Sequence, residues 1–160
     1  MNDLKQVAID LEGYSLWVAQ LESLLAGERD FIANAAQFSA FLFQELAELN
    51  WAGFYLLRGD ELVLGPFQGK VACVRIPLGR GVCGVAAATR QTQRVDDVHG
   101  FAGHIACDSA SNSELVIPLV QAGRLIGVLD LDSPRLARFT EADQTGIERL
   151  VEVFLRLSDC

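Results

Sequence analysis

Hydrophobic positions recur at helical spacing in the first third of the chain and follow strand-like runs further on. Apolar residues three and four apart predict helices over residues 14–26 and 28–49. An alanine-rich segment at 81–90 predicts a short helix, and residues 91–114 form a long loop with one short strand at most. The closing helix begins at Thr140-x-x-Asp143, a spacing typical of a capping box. β-rich runs predict the strands 51–57, 61–64, 71–76, 115–120 and 124–132.

The order of these elements indicates an α+β fold. Turn signals at 58–60 and 121–123 join neighbouring strands as hairpins, which makes the sheet antiparallel. Helices at both ends then cover one face of that sheet. A chain of 160 residues fits a single domain spanning 1–160.

The charge of the chain narrows the choice of partners. Lys and Arg number 13 and Asp and Glu 21, for a formal net charge of −8. An acidic surface argues against nucleic acid and against an anionic membrane as partners. The longest uncharged apolar stretch, 31–44, is too short to span a bilayer, and residues 1–10 lack a signal-peptide pattern. We therefore expect a cytoplasmic protein.

Three acids are predicted to meet on the second hairpin. With a three-residue loop at 121–123, Glu114 lies opposite Asp130, and Asp132 shares their face. When carboxylates lie this close together, their mutual repulsion raises the pKa of at least one of them. That carboxyl group can then donate a proton at neutral pH. Such a cluster of acids also attracts an ammonium group or a metal ion. The alternative to a functional site is that the three acids are surface residues at a solvated strand end.

The cysteines lack the spacing of a zinc ribbon or a thioredoxin-like motif, because no CxxC occurs. Cys107 lies in a polar loop and is a candidate nucleophile, with Cys73 and Cys83 as thiols that could resolve an oxidised product. For Cys73 alone, burial as a small apolar residue is favoured. A metal site that uses His104 with Cys107 is a weaker alternative, and Cys160 is expected to be an exposed bystander.

Residues 79–84 match the pattern GxGxxG between a predicted strand and a predicted helix. A dinucleotide site would need parallel βαβ units and an acid about 20 residues further on. Residue 104 is His and the neighbouring elements are hairpins. The glycines are therefore interpreted as a tight helix entry that brings the backbone close to a small ligand.

Trp51 and Tyr55 lie on one face of a predicted strand, with Gly53 between them. The glycine is expected to leave space between the two rings, which suits a small apolar or cationic group. Ordinary core packing is the alternative for such a pair.

Taken together, four stretches resemble the free methionine-R-sulfoxide reductases, which are stand-alone GAF domains. They are NWAGFYLL at 50–57, LVLGPFQGKVACVRIPLGRGVCG at 62–84, VDDVHGFAGHIACDSASNSELVIPLV at 95–120 and IGVLDLDSP at 126–134. The resemblance implies a six-stranded antiparallel sheet flanked by helices, often in a dimer. It implies reduction of free methionine-R-sulfoxide, with thioredoxin as reductant and without a cofactor or metal.

The resemblance also implies roles for individual residues. Cys107 corresponds to the nucleophile, Cys73 to the thiol that closes a disulfide with it, and Cys83 to a third family cysteine that offers an alternative bridge. Trp51 and Tyr55 correspond to the wall around the substrate methyl group and sulfur. The acids Glu114, Asp130 and Asp132 correspond to the polar side of the pocket, where we favour Asp132 as proton donor and the other two as ligands of the ammonium group.

Two other functions remain open from the sequence. A GAF module without enzymatic activity would bind a small ligand or sense oxidants through its thiols. A cysteine hydrolase would use Cys107 with His104 and would require the imidazole to reach the sulfur.

Overall fold

In the computed structural model, which describes residues 9–105, 107 and 109–160, four α-helices flank six β-strands. Residues 1–8, which belong to the N-terminal stretch without a signal-peptide pattern, lie outside the described residues, as do Ala106 and Asp108. The elements in chain order are α1 (Leu11–Leu25), α2 (Phe31–Glu45), β1 (Trp51–Arg58), β2 (Glu61–Gly69), β3 (Arg75–Pro77), α3 (Gly81–Thr89), β4 (Gln93–Val95), a 3₁₀ turn (Val98–Gly100), β5 (Ser113–Gln121), β6 (Arg124–Ser133) and α4 (Glu141–Leu157).

The long helices begin where a side chain caps the free N–H groups of the first turn. Asp10 accepts from Gly13 N in α1, and Asp30 accepts from Ala33 N in α2. Thr140 and Asp143 form the predicted capping box at the start of α4.

The strands form one antiparallel sheet in the order β3-β2-β1-β6-β5-β4, which confirms the predicted α+β fold. On one face, α2 and α4 contact the sheet and α1 packs on α4 around a large apolar core. The terminal helices therefore share one face, as predicted, whereas α3 lies on the opposite face with a smaller apolar cluster. This second face carries the candidate site. No helix in the described part of the chain is long and apolar enough to cross a membrane.

Two strand predictions were wrong in extent. β2 continues to Gly69, five residues past its predicted end, while β3 is only three residues long. Residues 70–74 therefore connect two strands instead of forming one. The reason is pairing, since β2 runs beside β1 over almost its whole length and β3 pairs only with the start of β2.

The register of the second hairpin also differs from the prediction. Its loop has two residues, Ala122 and Gly123, whose φ values of 51° and 77° fit a type I′ turn. A bulge after Leu119 then shifts the pairing further, so Glu114 lies opposite Asp132 and not Asp130. The net shift is two residues, and because side chains alternate with period two, the three acids stay on one face.

Candidate active site

A disulfide joins Cys73, in the connection between β2 and β3, to Cys107, in the loop before β5. The Cα atoms are 5.4 Å apart, across 34 residues of sequence. Cys83 is a buried free thiol in the first turn of α3, and Cys160 is an exposed free thiol. Cys107 and Cys73 are thus already in contact in the folded chain.

Cys107 lines a cavity of about 40 Å³ on the second face of the sheet. The floor is the acidic end of β5 and β6, one wall is the start of α3, and the roof is the loop that carries Cys107. The lining comprises Ile76, Arg80, Gly81, Val82, Cys83, His104, Ile105, Cys107, Ser111, Glu114, Asp130 and Asp132. This volume is far below the roughly 300 Å³ at which small-molecule pockets begin. With the disulfide closed, the cavity is too small for an amino-acid substrate.

The acids occupy adjacent positions on the two strands that form the floor. Glu114 lies opposite Asp132, and Asp130 lies one step further along β6, opposite Val116. Glu114 and Asp130 are only 7% and 5% exposed. The Cys83 thiol donates to Glu114 Oε1 over 3.8 Å. The structure therefore brings Cys107, Cys83 and all three acids to one cavity.

Burial separates the proton affinities of two of these acids. Desolvation, together with the charges of Asp130 and Asp132, raises the pKa of Glu114 well above its usual range. Desolvation also raises the pKa of Asp130, but hydrogen bonds to its charged form limit the rise to about 6. Desolvation and the neighbouring acids raise the pKa of the Cys83 thiol well above its ordinary value. Burial therefore favours the protonated forms of Glu114 and Cys83, whereas hydrogen bonds favour the charged form of Asp130.

One carboxylate oxygen of Asp130 has no partner in the part of the chain that the structure describes. Among the described residues, no donor reaches the buried Oδ1 atom of Asp130. An unpaired buried acceptor is costly unless a ligand or water satisfies it. Asp130 thus presents an open acceptor at a cavity that it lines.

Trp51 and Tyr55 lie beside the cavity but are not part of its lining. Their rings stack with centroids 5.7 Å apart, and Trp51 lies opposite Asp132 in the sheet. The expected space at Gly53 is absent, because a Cβ atom there would lie 2.3 Å from Cβ of Phe67. Phe67 also stacks on Trp51, so the rings form a continuous aromatic layer next to the acids.

The glycines of 79–84 shape the entry to α3, as the sequence indicated. Gly79 and Gly81 have φ values of 81° and 66°, which other residues adopt at a cost. A Cβ atom on Gly84 would lie 2.5 Å from the carbonyl oxygen of Pro77. This close packing brings the first turn of α3, whose N–H groups have no partner within the helix, to the cavity.

Comparison with known proteins decides which family this site belongs to. The GAF domain family matches residues 33–154. The free methionine-R-sulfoxide reductase of Escherichia coli (strain K12) is 61% identical over 129 residues, which cover 81% of this chain and 78% of that protein. The chain belongs to the free methionine-R-sulfoxide reductase family.

Solved structures agree with this membership. The free methionine-R-sulfoxide reductase from Neisseria meningitidis, determined in complex with its substrate, is 46% identical with a TM-score of 0.88, covering 98% of this chain and 95% of that one. The fRMsr of Staphylococcus aureus in its reduced form is 48% identical with a TM-score of 0.88, covering 90% and 94%. The expected family resemblance is thereby confirmed.

Three side chains in the described part of the chain could together hold a metal ion. Within the described residues, ligand atoms of Cys83, Glu114 and Asp130 lie within 4.8 Å of one another. This set includes neither His104 nor Cys107, the residues that the sequence suggested as ligands. The same proximity also lets two carboxyls and a thiol share protons, which needs no metal.

Sequence reasoning missed two polar residues of the cavity. Arg80 supplies a positive charge beside α3, and its only signal was its place within the glycine motif. Ser111 is buried and accepts a hydrogen bond from Asn50 Nδ2 over 3.0 Å. Nothing in the local sequence distinguishes Ser111 from the other serines of its loop.

Proposed function

We propose that this protein reduces free L-methionine-(R)-sulfoxide to L-methionine, with Cys107 as the nucleophile. The observation that carries the proposal is the single cavity shared by Cys107 and the acids Glu114, Asp130 and Asp132. The relatives from E. coli and N. meningitidis bear the name of this activity. The choice of the R epimer rests on those relatives.

The Cys107 thiolate attacks the sulfoxide sulfur, and the oxygen passes to Cys107, which becomes a sulfenic acid while methionine leaves. Cys73 then condenses with this sulfenic acid, releasing water and forming the disulfide. We assign the resolving step to Cys73 because it already contacts Cys107. Cys83 is the alternative, but burial keeps its thiol neutral and therefore poorly nucleophilic.

A sulfoxide sulfur accepts a thiolate readily only when its oxygen is protonated or hydrogen-bonded, because the oxygen is otherwise a poor leaving group. Asp132 remains the proposed donor, and burial favours the protonated form of Glu114, which lies opposite it. We therefore propose that Glu114 shares a proton with Asp132 and does not bind the ammonium group.

The two charged ends of a free amino acid require opposite partners. Asp130 is mostly ionised at neutral pH and has an open acceptor oxygen, which suits the substrate ammonium group. Arg80 and the first N–H groups of α3 suit the carboxylate. A residue within a peptide would carry neither charge, which explains a preference for the free amino acid.

We propose that Trp51 and Tyr55 enclose the substrate methyl group once the disulfide opens. In the closed cavity they stand just outside the lining, next to the acids. Reduction frees the Cys107 loop from Cys73, and its departure would extend the cavity toward the two rings.

Thioredoxin is the proposed reductant of the Cys73–Cys107 disulfide. Because the reaction needs reduced thiols, we propose that it takes place in the cytoplasm.

A homodimer is proposed through α1, which exposes Leu11, Leu16 and Leu24.

The proposal is tested by supplying the protein and a thioredoxin system with each sulfoxide epimer and counting methionine. We expect turnover of the R epimer, none with Cys107→Ser, and with Cys73→Ser a single methionine per chain followed by poor recycling. Steady turnover by Cys107→Ser would show that another group is the nucleophile.

A further inference from the structure

Two strongly exposed valines flank Cys73. Val71 is 89% exposed and Val74 is 61% exposed, the two highest values among the large apolar side chains that the structure describes. Scattered exposed apolar residues are ordinary. A pair that borders a disulfide in a short connection is not scattered, and its position calls for an explanation.

The backbone of this connection is held firmly against the sheet. Trp51 Nε1 donates to Lys70 O over 3.2 Å, and Tyr55 Oη donates to Cys73 O over 2.9 Å. Leu64 N donates to Val74 O over 2.9 Å. Because these bonds fix the backbone from the inner side, residues 71–74 present a preformed outer surface.

The two sulfur atoms of the disulfide have different surroundings. Cys107 lines the cavity of about 40 Å³, into which no second protein can insert a cysteine. Cys73 is not among the cavity residues and lies between the exposed valines. Both cysteines are half-buried, so the cavity on the Cys107 side and the exposed valines on the Cys73 side favour approach of another protein's thiolate toward Cys73.

We propose that residues 71–74 are the docking surface for a dithiol reductant protein of the thioredoxin type, and that its thiolate attacks Sγ of Cys73. This inference rests on the proposed function. The attack forms a bond between the reductant's sulfur and Cys73, breaks the Cys73–Cys107 bond and releases Cys107 as a thiolate facing the cavity. The reductant's second thiol then displaces Cys73, so the reductant becomes a disulfide and this protein gains two electrons.

The chemistry is tested by trapping. The oxidised protein is mixed with a thioredoxin variant whose second cysteine is serine, and the mixed disulfide is mapped by peptide mass spectrometry. We expect the adduct on Cys73. An adduct on Cys107 overturns the proposal.

The surface is tested with the double variant Val71→Ser/Val74→Ser and the control Ile32→Ser, which removes a 55% exposed side chain from α2 on the other face of the sheet. Disulfide reduction by thioredoxin should slow by about tenfold in the double variant and change less than about twofold in the control. Reduction by dithiothreitol, which needs no docking surface, should be unchanged in both. Equal rates of reduction by thioredoxin for all three proteins would overturn the proposal. A changed oligomeric state of the double variant with an unchanged thioredoxin rate would also overturn it, because the valines would then contact a second copy of this chain.

Failure of the proposed function looks different. In that case the fully reduced protein forms no methionine, although trapping on Cys73 and the valine effect still hold. If only the docking proposal fails, the reduced protein forms methionine normally.

Discussion

Asp130 and Glu114 are both buried carboxyls of one cavity, but their surroundings shift their pKa values to different extents. Hydrogen bonds to its charged form hold the pKa of Asp130 to about 6, whereas Glu114 lies well above its ordinary range. This difference supports the proposal that Asp130 binds the substrate ammonium group and that Glu114 takes part in proton supply. Residue type alone, which is all that the sequence shows, could not make that division.

The raised pKa of Asp130 has a consequence for stability. The native state binds the proton of the Asp130 carboxyl more tightly than the unfolded chain does. The stabilisation that this proton gives is therefore complete below pH 3.8 and is lost as the pH rises to about 6. Asp130→Asn removes the titration and weakens the charge that raises the pKa of Glu114. We therefore expect the free energy of unfolding of the native protein to fall more between pH 4 and 7 than that of Asp130→Asn.

Denaturant titrations at each pH, in the same redox state, measure this difference. Asp60→Asn, which removes an exposed acid from the turn between β1 and β2, is the control and should follow the native protein. Parallel curves for the native protein and Asp130→Asn would contradict the account of Asp130.

At the scale of elements, α1 is joined to α4 by close contact and by a buried polar network. Tyr14 Oη donates to Asp143 Oδ1 over 2.6 Å, and Arg138 Nη1 lies 3.1 Å from Asp143 Oδ2. Gly146 lets the Tyr14 ring approach, because a Cβ atom there would lie 2.1 Å from that ring. The sequence showed the capping role of Asp143 but gave no sign that a tyrosine 129 residues away would share it.

Gly146→Ala is therefore expected to destabilise the fold by about 1–3 kcal/mol, although alanine is the better helix former. Arg149→Ala, at an exposed position of the same helix, should change stability by no more than about 0.5 kcal/mol. Chemical denaturation measures both. A more stable Gly146→Ala protein would show that α1 does not pack there as described.

The second hairpin shows which part of the site was predictable from the sequence. Alternation along β5 and β6 was enough to put the three acids on one face, because that face survives a shift of two residues. The pairing itself was not predictable, since it depends on the two-residue turn at Ala122 and on a bulge that leaves no clear mark in the sequence.

For the whole molecule, the redox state is expected to control access to the site. The closed disulfide leaves a cavity of about 40 Å³, and the aromatic wall proposed from Trp51 and Tyr55 lies outside it. We expect that reduction must release Cys107 from Cys73 before a free amino acid can enter. The sequence indicated which residues share the site, but not that the disulfide would close it.

Binding of the product methionine tests this link. Calorimetry should show binding to the reduced protein and to Cys107→Ser, neither of which has the disulfide, and at least about tenfold weaker binding to the oxidised protein. Equal affinity for the oxidised and reduced proteins would mean that the disulfide does not close the site.

The central claim, that Cys107 and Cys73 together perform one reduction, is tested most directly by a single turnover. Fully reduced protein is freed of reductant, mixed with excess free methionine-R-sulfoxide, and assayed for methionine and for the Cys73–Cys107 bridge. We expect one methionine per chain, with the bridge appearing in equal amount and Cys83 remaining a thiol. Methionine formed without that bridge, or a bridge formed without methionine, would contradict the account.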